Sequence, residues 1–158
     1  TRDYAAAVVS AADFDARPEQ IERWIDLRME RQGVLIGATP PRLVAVIDEG
    51  VLRREVGGPN VLNAQLRHLA ECGQRPNVEI WVLPFAAGAH ASPTGAFRIL
   101  TLPEPYPDVA YAETLTGSVY VEAPHVERFA QAYARLREAA LSPEESTELI
   151  SALAKEPR

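Results

Sequence analysis

A chain of 158 residues with 47% hydrophobic content holds enough apolar material for one domain with a real core. Its net charge of −6 gives an acidic surface that repels phosphates, so the chain alone is expected to bind nucleic acid poorly. No apolar run approaches the roughly 18 residues a membrane span needs, and no secretory signal opens the sequence, so we read a soluble protein with no membrane partner. The one cysteine, Cys72, has no partner for an internal disulfide, which fits a cytoplasmic setting. The chain starts at Thr1 rather than Met, and we take it for a fragment or a processed product.

In chain order, Asp3 to Ala12 carries Tyr4, Val8 and Ala11 at helical spacing and predicts a short helix. Arg17-Pro18 opens a clearer one, with proline at the first helical position, a stripe of Ile21, Trp24, Ile25 and Arg28, and an end near Gln32-Gly33. After the Pro40-Pro41 break, Leu43 to Ile47 is a continuous valine-rich run that predicts a central strand, closed by Asp48, Glu49 and Gly50. Gly57-Gly58-Pro59 starts the next helix, whose stripe is Val61, Leu62, Leu66, Leu69 and Ala70, with Gly73 at its end. Val78 to Leu83, bounded by Pro76 and Pro84, is almost wholly apolar and predicts a strand buried on both faces. A strand, a helix and a second buried strand imply a crossover unit with parallel pairing.

Beyond Leu83 the pattern changes. Phe97 to Leu102, Val109 to Glu113 and Ser118 to Val121 are short runs separated by proline- or glycine-containing turns, as in an antiparallel meander. Pro124 begins a helix that turns Val126, Phe129, Ala130, Tyr133, Leu136 and Ala140 inward. Ser142-Pro143-Glu144-Glu145 is a capping box, in which the serine hydroxyl and the Glu145 carboxylate each satisfy a free amide at the start of the last helix. The expected architecture is one α+β domain over residues 1–158: a mixed five-stranded sheet, parallel unit first and meander second, with helices at both ends.

The stretch from Pro76 to Pro103 organises the functional reading. Between its two apolar runs lies a loop of small residues, 86–95, with Gly88 and Gly95 free to take left-handed angles and His90 its only titratable side chain. That loop and the strand ends beside it are the expected binding surface, and the residues we assign to it are Phe85, His90, Glu49, Arg53, Arg98 and Glu113. Carboxylates at strand ends, Asp48, Glu49, Glu113 and Glu122, can share acid and base roles across a cleft, but pairing with Arg53, Arg54 or Arg98 is the plainer reading. His90 is a candidate base or pH switch, and more plainly a surface or hydrogen-bonding residue. His68 and His125 have no partner at metal spacing, so we expect neither a metal nor any other cofactor. Cys72 ends a helix rather than starting one, which gives its thiolate no help from the helix dipole. Trp24 and Trp81 fall on apolar stripes and are expected in the core.

Taken together, RDYAAAVV near the start, IERWIDLRMERQGVL at 21–35, VIDEGVLRREVGGPNVLNAQLRHL at 46–69, NVEIWVLPFAAGAHASPTGAFRIL at 77–100, DVAYAETLTGSVYVE at 108–122 and YARLREAALSPEESTELI at 133–150 carry a resemblance. In their order and spacing they resemble the C-terminal domain of actinobacterial Xre-type helix-turn-helix regulators, often described as antitoxin-like. The resemblance implies transcription regulation, with an N-terminal DNA-binding domain outside this sequence through which alone DNA is contacted. It implies a regulatory module here, whose partner is a small toxin-like protein encoded nearby or a small-molecule effector, and it supplies no catalytic residues.

The polar positions that recur in these pieces, Arg28, Arg31 and Gln32 before the first strand and Asp48, Glu49, Arg53 and Arg54 after it, are expected to form ion pairs between the two groups. A homodimer through the terminal helices, Val126 to Leu153, is a further expectation. The alternative is a small enzyme using His90 in half of a phospholipase D-like fold. That fold needs H-x-K, whereas Ala91 and Ser92 follow His90 here, so we do not expect an enzyme.

Overall fold

The computed structural model describes residues 1–13 and 15–156. In order, the chain forms α1 (Arg2–Ala12), α2 (Pro18–Gln32), a 3-10 turn (Gly33–Ile36), β1 (Leu43–Asp48), α3 (Glu49–Arg53), α4 (Pro59–Cys72) and β2 (Val78–Leu83). A second 3-10 turn (Phe85–Ala87) leads to β3 (Phe97–Leu100), β4 (Val109–Thr114), β5 (Gly117–Val121), α5 (Val126–Ala139) and α6 (Pro143–Leu153). The α+β class, the parallel pair, the later meander and the helices at both ends agree with the sequence reading.

The single five-stranded sheet does not. β1 and β2 pair in parallel as a two-stranded sheet, Leu43 beside Val78 through Asp48 beside Leu83, while β3, β4 and β5 form a separate antiparallel sheet. The reason is local. Each strand of the meander pairs with the next in sequence, β4 with β5 across the tight turn at Thr114 to Gly117, whereas thirteen residues separate β2 from β3 in the chain. A two-stranded sheet also has no interior position, and β1 is half-buried along most of its length instead of central.

Backbone contacts divide the chain into two compact units, residues 1–85 with 141–158 and residues 86–140. The first holds the main core. Val78, Ile80 and Val82 project from one face of β2 and meet Leu62 and Leu66 of α4, Leu52 of α3, and Ile150 and Leu153 of α6. Burying aliphatic side chains of this size gives roughly 1.5–3 kcal/mol each, which makes this cluster the main source of the unit's stability.

The last helix returns to β2 through two groups. Leu141 N–H donates to Val82 O at 2.9 Å, and the buried Ser146 hydroxyl accepts from Val82 N–H at 2.8 Å. The predicted capping box is present: Ser142 Oγ accepts from Glu145 N–H at 3.2 Å and Glu145 Oε2 from Ser142 N–H at 2.8 Å. At the other end, Ala5 and Val9 of α1 bury Ile25 of α2, with Ile21 and Met29 alongside. That contact decides which way α2 faces, and it leaves Trp24 at 36% exposure instead of in the core. Gly57, at φ +74°, makes the turn into α4, and a Cβ there would come within 2.9 Å of Val61 Cγ1.

In the second unit, one face of the meander carries Phe97, whose ring meets Phe129 of α5 edge-on with centroids 5.3 Å apart. Ala110 and Leu136 are its buried hydrophobic residues among those described, and Ala130 of α5 is exposed rather than inward. β3 stops at Leu100, two residues short of the predicted end, and Leu102 is exposed.

Candidate functional site

Asp48, Glu49 and Gly50 do more than end a strand. Asp48 caps α3, its Oδ1 accepting from Gly50 N–H at 2.7 Å, so the chain turns at once from strand to helix. This turn places Glu49 at the first position of α3, buried, at the C-terminal end of the parallel pair.

Both carboxylate oxygens of Glu49 are engaged. Oε2 accepts from the backbone N–H of Phe85 at 2.8 Å, and Oε1 accepts from Arg53 Nε at 2.7 Å, one helical turn along. The Phe85 amide first, and then the Arg53 guanidinium, hold this carboxyl below the ordinary glutamate range. One acidic side chain therefore fixes the backbone just beyond β2 against the helix just beyond β1. The Phe85 ring is 60% exposed and lies against Gly50, where a Cβ would meet Phe85 Cε1 at 3.5 Å. The backbone that carries this large aromatic is thus anchored, while the residue itself stands mostly in water.

Beside this end of β1 is an apolar cleft of about 260 Å³ lined by Tyr4, Ile47, Val51, Leu52, Leu62, Gln65, Leu66 and Leu69. Its two polar side chains are Tyr4 and Gln65. Burial pushes the Tyr4 phenol upward, so it stays protonated through the neutral range and can donate.

Three predicted site residues, Glu49, Arg53 and Phe85, therefore come together. The other three, His90, Arg98 and Glu113, belong to the second unit. Arg98 of β3 lies over the Tyr111 ring, 5.6 Å from its centroid, and Tyr111 donates to Glu113 Oε1 at 2.8 Å. Tyr111 packs on Tyr120 at 5.0 Å between centroids, completing a row across the sheet in the register Arg98, Tyr111, Tyr120. The sequence reading missed both tyrosines, although the alternation in Tyr111-Ala112-Glu113 and Ser118-Val119-Tyr120 places them on one face with Glu113 and Ser118.

His90 is half-buried in its loop, and its Nδ1 accepts from Ser92 N–H at 3.2 Å. In the neutral ring this leaves the proton on Nε2. The expected pairing of Arg28 or Arg31 with Asp48 or Glu49 is absent among the described residues, because Arg53, on the same short helix, reaches Glu49 first. His68 and Cys72, one turn apart on α4, approach to 3.5 Å between Nε2 and Sγ, and burial lowers the imidazole's affinity for a proton. Among the described residues, no three His, Cys, Asp or Glu side chains are grouped as a metal site, and no helix is long and apolar enough to cross a membrane.

These features define an α+β chain with an exposed aromatic, its backbone amide anchored, at the end of a parallel strand pair. The chain belongs to the family described as a domain of unknown function, DUF5753, whose pattern matches residues 1–152. No curated protein and no solved structure matches it.

Proposed function

We propose that this chain is the partner-binding regulatory module of a cytoplasmic helix-turn-helix transcription regulator of the antitoxin-like Xre type. In this reading Phe85 is the anchor of the binding surface, and DNA is held by a domain outside this sequence. The observation that carries it is the mounting of Phe85: an exposed ring whose backbone is pinned by a buried carboxylate. A backbone already anchored loses little further entropy on binding, and aromatic residues supply a large share of interface energy. The acidic charge and the resemblance in the sequence support the division of labour between this chain and a DNA-binding neighbour.

The partner is a small toxin-like protein encoded beside the regulator. A small-molecule effector is the second reading, and the apolar cleft beside β1, with Tyr4 and Gln65 as its polar groups, favours it. Either ligand changes operator binding only through different affinities for the regulator's two states.

The test is affinity capture of the encoded neighbour by full-length regulator, wild type against Phe85→Ala. Because the ring is mostly solvated, the variant should fold normally and lose about tenfold or more in affinity, as truncation of an interface anchor does. Unchanged capture would remove Phe85 from the surface. No capture by the wild type, together with operator binding indifferent to the neighbour, would overturn the protein-partner reading.

A further inference from the structure

The outward face of α2 leaves Trp24 and Leu27 partly in water. Ile21, Ile25 and Met29 turn inward to α1, and Arg2 of α1 takes Glu22 and Asp26 as ion-pair partners at 2.6 Å each. On the opposite side, Gln20, Arg23, Trp24, Asp26, Leu27 and Glu30 line a shallow groove of about 510 Å³. Leu27 is 43% exposed at its centre, and the face runs on to Val34, 59% exposed, in the turn that follows. Arg23 and Glu30 take part in no ion pair among the described residues.

The spacing of these side chains is self-complementary. Gln20, Trp24, Leu27, Arg31 and Val34 follow the alternating three- and four-residue steps of a helix-pairing seam, with Arg23 and Glu30 flanking it on one side, seven residues apart. Two such helices laid antiparallel about a twofold axis at Leu27 keep like flanks together. Arg23 of each copy then stands beside Glu30 of the other, twice over. On the other flank, Trp24 falls next to Arg31 of the second copy, an arrangement suited to a cation over an indole ring. A parallel pairing has no such match, because it sets each flank against the opposite flank of the other copy and so brings Arg23 beside Arg28.

We propose that α2 is a homodimer contact, pairing antiparallel with α2 of a second copy of this chain and selected by the reciprocal Arg23 and Glu30 contacts. The face differs from the terminal helices expected from the sequence. The inference stands apart from the regulatory reading, since it needs neither a partner protein nor an effector.

Sedimentation equilibrium of the intact protein tests it with a charge swap. Wild type should self-associate, Arg23→Glu should weaken the dimer by about tenfold by placing like charges together at two sites, and Arg23→Glu with Glu30→Arg should restore it. Leu27→Cys should in addition give a disulfide-linked dimer on mild oxidation that wild type does not give. Circular dichroism of each variant should match wild type, because all three positions are on the exposed side of α2. A protein that stays monomeric at high micromolar concentration would overturn the proposal. So would a dimer indifferent to Arg23→Glu, or one that the double swap fails to restore.

Discussion

The two units invest their apolar residues differently. In residues 1–85 with 141–158, one cluster joins α3, α4, β2 and α6, and six of its eight buried members, Leu52, Leu62, Leu66, Val82, Ile150 and Leu153, are at 1% exposure or less. In residues 86–140, one helix covers one face of a three-stranded sheet, Ala110 and Leu136 are the buried hydrophobic residues among those described, and Tyr106, Leu115, Val119 and Tyr120 stand in water. Aliphatic burial scales with area, so the first unit is the stability reserve and the second is the part best able to adapt or open locally.

The sharpest way to break the comparison is to hollow out the first core. Leu66→Ala should cost about 2–5 kcal/mol in denaturant unfolding, since Leu66 has no exposure and sits among residues from three other elements. A cost under about 1 kcal/mol would show that this cluster is not the reserve.

Phe129→Ala probes the other side of the comparison. Phe129 is half-buried and has the edge contact with Phe97, so about 1–2 kcal/mol is expected, with faster hydrogen exchange confined to residues 86–140. Exchange that rises equally in β2 and α4 would mean the two units open as one.

The smallest effect concerns the joint at Glu49. Its carboxyl is held below the ordinary range in the folded chain, so the stabilisation it gives is present above the unfolded value of about 4.3 and is lost as pH falls through the lower, folded value. Glu49→Gln keeps an acceptor for the Phe85 amide and gives up the charge facing Arg53. It should cost about 1 kcal/mol at neutral pH and flatten the acid limb of the stability profile. An acid limb identical to wild type would assign that limb to other carboxylates.

Much of the fold was legible because its signals are local. Pro18, Pro59 and the Ser142 to Glu145 box start helices within a residue of where they are read, and Val78 to Leu83 forms a strand at the expected bounds. The orientation of α2 was not legible. Its sequence offers two apolar stripes, Ile21-Ile25-Met29 and Trp24-Leu27, and only the arrival of Ala5 and Val9 from α1 chooses between them. The candidate site shows the same limit. Asp48-Glu49-Gly50 marked a polar strand end, but nothing local to Glu49 pointed to the amide of Phe85, 36 residues away.

By itself, then, the sequence determined the longer elements, their order, the parallel pair and the meander, but not the short α3, because period, capping residues and prolines act within a few positions of where they stand. The tertiary structure decided which stripe of α2 faces water, that the strands split into two sheets, and which backbone group Glu49 holds. Those outcomes depend on surfaces and hydrogen-bond donors that distant segments bring together, and such partners leave no mark in any short window of the chain.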